Sequence, residues 1–200
     1  ARRDFTINAL SADPQTLELF DYFGGLDDLK RLQIRFIGSP AERIAEDHLR
    51  IMRYFRFQAR FGKQQVDEKA YAACTAAAAK LEMLSRERIA DELLKLLQTE
   101  DPRSALRQMI DAGIMSHIVD RIDEHSATVL NRIVQREQRL HLAPTAIRRL
   151  VALLPKDADT AIAIARSLKL SRKQQRAIGE RLVPGAADNM PAPDAGLTDI

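Results

Sequence analysis

Arg50, Arg53, Arg56 and Arg60 recur every three or four residues late in the stretch 39–62, SPAERIAEDHLRIMRYFRFQARFG, with Glu46 and Asp47 just ahead of them. At about 100° per residue they share one side of a helix, and at ~1.5 Å per residue the guanidinium groups line roughly 15 Å of it. Guanidinium is a planar, permanently charged donor suited to phosphate oxygens and base edges, whereas lysine serves equally well for solubility. The same residues also allow Glu46 to pair Arg50 at i,i+4 while the others face solvent, worth a few tenths of a kcal/mol per pair.

The remaining reactive side chains are scattered. His48, His117, His125 and His141 lack metal-ligand spacing, so no metal site is proposed from them. Cys74 is the single cysteine, lies in an alanine-rich run and reads as a small packed group in a reducing cytosol. Asp157-Ala158-Asp159 forms an Asp-x-Asp, but it stands directly before a helical run, where acidic residues act most simply as caps.

A helix must hold the arginines in register. Ser39, Pro40 and Glu42 form a start signal, and the pattern predicts one helix running to Gly62. Ile44, His48, Ile51, Met52, Phe55 and Ala59 make its apolar stripe. Upstream, 16–23 and 33–38 alternate as strands, expected to pair antiparallel across Gly24-Gly25 with a brief helical turn over 26–32. Two strands alone are marginal in water and need further cover.

Downstream, helices are predicted over 67–83, 86–97 (capped by Ser85), from Asp101-Pro102 to Gly113, and over 124–137, 144–154, 159–168 and 171–182. The expected fold is mainly α, a helical array with a small antiparallel β element at its N-terminus. We divide it into 1–38, 39–100, 101–182 and a loop or loose tail at 183–200.

With 46% hydrophobic residues, few glycines and no tryptophan, 200 residues should fold into one or two helical cores. A net charge of +3 agrees with an RNA partner without establishing one. No apolar run approaches the ~20 residues of a membrane span, so no membrane association and a cytoplasmic location are expected.

Three blocks in order, 1–10 (ARRDFTINAL), 21–29 (DYFGGLDDL) and 46–50 (EDHLR), resemble the class II tRNA nucleotidyltransferase and bacterial poly(A) polymerase family. Residues 85–89 (SRERI) look like the family's next block, and beyond Gly113 the match is only a compatible helical pattern. The resemblance implies that 1–38 is the remnant of a nucleotidyltransferase head domain, that 39–100 recognises nucleotide, and that 101–182 is a helical body that could bind RNA. Ala1 stands where an initiator methionine would, so a piece of a longer protein is expected. In the family the paired metal-binding carboxylates lie on a strand before the first block. Mg2+ is therefore implied for the parent protein and not for this chain, which is expected to transfer no nucleotide alone.

By the same resemblance, Arg2, Arg3, Asp4 and Asn8 contact the ribose and triphosphate of the incoming nucleotide; a salt-bridged strand end is the plain alternative. Asp47 and Arg50 read the base edge, one accepting and the other donating, so that cytosine and adenine satisfy them while uracil and guanine do not. Glu46 orients Arg50, and Arg53 and Arg56 extend the cationic face toward phosphates. Asp21, Gly24, Gly25 and Asp28 match a flexible hinge, with a tight turn fitting equally well. Ser85, Glu87 and Arg88 brace the nucleotide helix. Arg172, Lys173, Arg176 and Arg181 either meet an RNA backbone or form a solvated face.

The implied function is CCA addition to tRNA 3′ ends from CTP and ATP. The alternatives are polyadenylation of RNA 3′ ends, or a non-catalytic helical RNA-binding module.

Overall fold

The computed structural model describes residues 3–62, 66–119 and 121–182, so Arg2 and the expected tail at 183–200 lie outside the described residues. A 3-10 turn at Thr6–Asn8 precedes β1 (Ser11–Ala12) and β2 (Leu19–Phe20). There follow α1 (Gly25–Arg31), α2 (Pro40–Glu46), α3 (Arg50–Phe61), α4 (Glu68–Ala76), α5 (Arg86–Leu97) and α6 (Arg103–Asp111). Then come α7 (Glu124–Arg139), α8 (Ala146–Leu153), α9 (Ala158–Ser167) and α10 (Arg172–Leu182). The mainly helical architecture with a small antiparallel element is thus as expected.

Side-chain caps set many of the helix starts: Ser39, Asp67, Ser85, Asp123 and Asp157 each accept from a backbone N–H in the first turn. Helices α5 and α6 each pack on α3, α8 lies against α5 and α7, and α10 closes over α8 and α9. Their shared interior contains Ile51, Met52, Phe55, Ile89, Leu93, Leu96, Met109, Leu130 and Leu150, all essentially without exposure. Cys74 packs there too, and burial pushes its thiol pKa up. Within this apolar body Arg149, 1% exposed, bonds Glu137 at 2.8 Å and the carbonyls of Leu97 and Glu100, tying the end of α5 to α7 and α8.

Three expectations change. The helix over 39–62 is two helices, broken at Asp47, whose backbone turns extended at φ −152° and ψ 105°. Its Oδ1 accepts from Leu49 N at 3.1 Å, so a side chain that caps the following turn competes with helix continuation.

The segments 16–23 and 33–38 do not pair with each other. β2 pairs with β1, Ser11 opposite Phe20, because Asp13 Oδ1 accepts from Gln15 N and Thr16 N and folds the chain back at once. The second segment reaches the N-terminus instead, through a Phe5–Phe36 bridge flanked by Thr6 N to Arg35 O and Ile37 N to Asp4 O, each 3.0 Å.

The helix expected over 67–83 ends at Ala76, and Ala78–Met83 continues as a 3-10 turn.

Candidate functional site

Phe5 fixes the opening segment. Its ring lies 4.9 Å from Phe36 and 4.8 Å from Phe57, and it is fully buried. Burying an aromatic side chain of this size contributes a few kcal/mol, enough to seat a segment with little regular structure. That anchor carries Asp4, 2% exposed, onto the start of α3.

Asp4 is the centre of an arginine cluster. Arg50 Nε donates to Oδ1 at 2.8 Å, Arg53 Nη1 lies 2.7 Å from Oδ2, and Arg43 Nη2 lies 3.6 Å from Oδ1. Arg43 also donates to Arg3 O at 2.9 Å. Glu46 Oε2 receives both Arg43 Nη1 and Arg50 Nη1 at 2.5 Å, while Arg50 Nη1 also donates to Arg43 O at 2.5 Å. The bond from Arg50 holds the Glu46 carboxyl below its usual pKa. Desolvation opposes the Arg50 charge, but the bond from Glu46 and the nearby Asp4 outweigh it and raise that pKa. Three acceptors thus orient Arg50, and its Nη2 carries none of these bonds.

Asp47 faces elsewhere. Its two carboxylate oxygens take Arg88 Nη2 from α5 at 3.2 and 3.0 Å. The sequence reading of Asp47 and Arg50 as a pair on one rigid helix face therefore requires correction: a helix break separates them, and they engage different neighbours. Asp47 keeps 30% of its side chain exposed, against 13% for Arg50.

The expected phosphate-facing stripe along α3 is also largely neutralised from within. Arg56 Nε donates to the buried Glu92 of α5 at 2.6 Å and packs over Phe57, and Arg60 lies over the Phe61 ring. Arg53, a third exposed, is bound to Asp4. The arginines recur because carboxylates 46 and 36 residues away meet them, which local pairing rules do not reveal.

Asn8 Oδ1 accepts from Phe5 N at 3.1 Å and closes the first turn, while Arg3 is exposed. At the expected hinge, Asp21 caps α1 through Gly25 N at 2.8 Å and Leu26 N at 2.9 Å, and those backbone bonds lower its pKa, Leu26's the most. Gly24 adopts φ +73°, and a Cβ on Gly25 would lie 2.3 Å from Thr6 O. Asp28, buried, takes Thr6 Oγ1 at 2.5 Å and Arg35 Nε at 3.0 Å. These residues form a close-packed turn that joins α1 to the segment bearing Asp4.

Ser85 caps α5 and Glu87 is exposed. On α10, Arg172 and Lys173 are exposed, Arg176 pairs Glu180 at 2.8 Å, and Arg181 donates to Ala177 O. Asp157 caps α9, through the Thr160 hydroxyl and backbone N–H, which lower its pKa. Sequence reasoning missed Arg43 and Glu92, the latter detectable only as a carboxylate on the apolar side of a helix otherwise patterned for burial.

Residues 1–35 match the family described as the poly A polymerase head domain, and residues 65–125 match the probable RNA and SrmB-binding site of polymerase A. A CCA-adding enzyme of Streptococcus gordonii is 44% identical over 119 residues, 60% of this chain and 29% of that protein. One from Limosilactobacillus fermentum is 35% identical over 201 residues, 100% of this chain and 48% of its own length. The crystal structure of the Bacillus stearothermophilus CCA-adding enzyme in complex with CTP superposes with a TM-score of 0.73 at 27% identity, covering 97% of this chain and 47% of that one. The chain therefore spans less than half the length of each of these relatives.

Proposed function

The chain belongs to the class II tRNA nucleotidyltransferase and bacterial poly(A) polymerase family, and from that premise we propose that it forms part of an enzyme adding CCA to tRNA 3′ ends from CTP and ATP. Its contribution is nucleotide recognition at the junction of the opening segment with α2 and α3. The observation that carries this reading is the bond from Arg50 to Asp4, which joins the first and third family blocks into one cluster.

In that role Arg50 is oriented before any nucleotide arrives, and Nη2 is the donor left for a base edge. Asp47, across the helix break from Arg50, would supply the acceptor from the lone pairs that Arg88 and Leu49 N leave open. A base with the wrong edge leaves one of them unpaired at a cost of about 1–3 kcal/mol, a roughly tenfold to hundredfold preference without a nucleic-acid template. Arg3, Arg53 and the segment through Asn8 would meet ribose and phosphates. Asp4 organises the arginines, and Glu46, Arg88 and Ser85 brace them.

Nucleotidyl transfer in this family implies Mg2+, which would activate the attacking hydroxyl and steady the leaving pyrophosphate. The described residues do not fit it: no cluster of three metal-ligating side chains forms among them, and Asp157 of the one Asp-x-Asp is engaged as a helix cap. We assign no metal step to this chain.

Supplying the full-length protein with a tRNA lacking its terminal CCA and with all four nucleotides tests the function. Extension by C, C and A supports it. A long adenylate tail supports the polymerase alternative, and no extension overturns both.

A further inference from the structure

Arg43, in the last turn of α2, stands between the opening segment and Arg50 and is bonded to both. Its Nη2 donates to Arg3 O at 2.9 Å, its Nη1 donates to Glu46 Oε2 at 2.5 Å, and its own carbonyl accepts from Arg50 Nη1 at 2.5 Å. The Arg43 side chain keeps only 13% of its surface exposed, whereas that of Glu46 keeps 53%. A pair with so exposed a carboxylate contributes little, so Glu46 does not explain why Arg43 is held here.

Neutralising Asp4 does not explain it either. Arg50 and Arg53 already lie 2.8 and 2.7 Å from the Asp4 carboxylate, and Arg43 stands off at 3.6 Å. A third guanidinium beside one carboxylate adds mainly like charge. What the Arg43 side chain does is bond the backbone of residue 3.

Order in the opening segment thins at that residue. Phe5 is fully buried, and Thr6 N donates to Arg35 O and Ile37 N to Asp4 O, each at 3.0 Å. Arg3 is exposed and lies one residue before those bonds, so the bond from Arg43 carries the fixed backbone one residue further. A guanidinium on a loose peptide unit must be ordered each time it meets an anion. Holding one residue's backbone beforehand is worth about tenfold in affinity.

We propose that Arg43 is a positioning residue for nucleotide binding: it fixes the Arg3 backbone and thereby aims the Arg3 guanidinium at the phosphates of the nucleotide. The role rests on the nucleotide site proposed above. Arg43 serves Arg50 through its main-chain carbonyl, which every substitution retains. Its side chain therefore belongs to the phosphate grip and its carbonyl to the base reader, and substitution separates the two.

The test is a double-mutant cycle in the full-length protein, acting on a tRNA that lacks its terminal CCA, with Arg43→Ala, Arg3→Ala and the two combined. Asp4 keeps Arg50 and Arg53, and Glu46 keeps Arg50, so the alanine at 43 strands no carboxylate. Arg43→Ala should raise KM for CTP and ATP alike by about tenfold, with kcat altered much less and the proposed preference over UTP and GTP kept within about twofold. Added to Arg3→Ala, it should raise KM by no more than about twofold, because the group it aims is gone. Arg43→Gln, which loses the charge and keeps most of the stem, gives the same reading should the alanine variant fail to fold. A wild-type KM in the single variant, or effects that multiply in the pair, overturns the role, since a merely structural arginine acts whether or not Arg3 is present. A wild-type enzyme that extends no tRNA overturns the proposed function, and the positioning role with it.

Discussion

Asp4 Oδ1 lies 2.8 Å from Arg50 Nε, across 46 residues of sequence, and the same carboxylate holds Arg53. Asp4 is nearly inaccessible, so its removal leaves a cluster of like charges without its centre. Breaking a buried pair costs about 3–5 kcal/mol, and Arg53's exposure lowers that here to about 2–3 kcal/mol for Asp4→Asn. At roughly 2–4 °C per kcal/mol for a chain of this size, the melting temperature should fall by about 5–10 °C. A thermal melt within about 2 °C of wild type would show that the cluster does not hold the opening segment.

Gly25→Ala distinguishes a hinge from a packed turn. A Cβ would lie 2.3 Å from the backbone oxygen of Thr6, which cannot yield without moving the segment that bears Asp4. Gly24→Ala meets no comparable obstruction but must adopt φ +73°, at a cost of about 1–2 kcal/mol. We expect the Gly25 variant to be the less stable of the two by chemical denaturation and to weaken nucleotide binding. Equal stability of both variants would favour a loose hinge.

The helical body was largely legible because its signals are local. Ser85 before the 86–97 stripe and Asp157 before α9 announce their own helices, and the apolar spacing supplies the rest. The site was not, for a shared reason: its decisive contacts join residues far apart in the chain. Four arginines on one face of α3 resemble an open phosphate-binding surface until Asp4 and Glu92 arrive from 46 and 36 residues away. Asp47 fits the helical period on both sides of it, and only its bond to Leu49 N reveals the break.

Acid should loosen the same junctions. Asp21, Glu46, Asp101, Asp123 and Asp157 all have lowered pKa values, Asp21, Asp101 and Asp123 chiefly through bonds from Leu26 N, Arg103 and Ser126 N. The unfolded chain therefore binds protons that the folded chain refuses. The resulting stabilisation is complete above the ordinary carboxylate range and is lost as pH falls through the lower folded values. Denaturation midpoints should be flat from about pH 6 to 7 and decline below about pH 4. Replacing Asp21 with Asn should make that decline shallower, and an unaltered pH profile would remove Asp21 from the set.

The Asp47–Arg88 pair separates base reading from bracing. Both side chains are substantially exposed, so the pair contributes no more than about 1 kcal/mol, and Arg88→Gln should barely move the melting temperature. Asp47→Ala removes the acceptor itself. In the full-length protein it should narrow the proposed preference for CTP and ATP over UTP and GTP by roughly tenfold or more, while total triphosphate affinity, which we propose depends on the arginines, changes less. Arg88→Gln should shift selectivity in the same direction but less, since Leu49 N still orients the carboxylate. If nucleotide competition leaves selectivity intact in Asp47→Ala, Arg50 alone cannot be the reader, because a donor without its acceptor does not discriminate cytosine from guanine, and recognition must then lie outside α2 and α3.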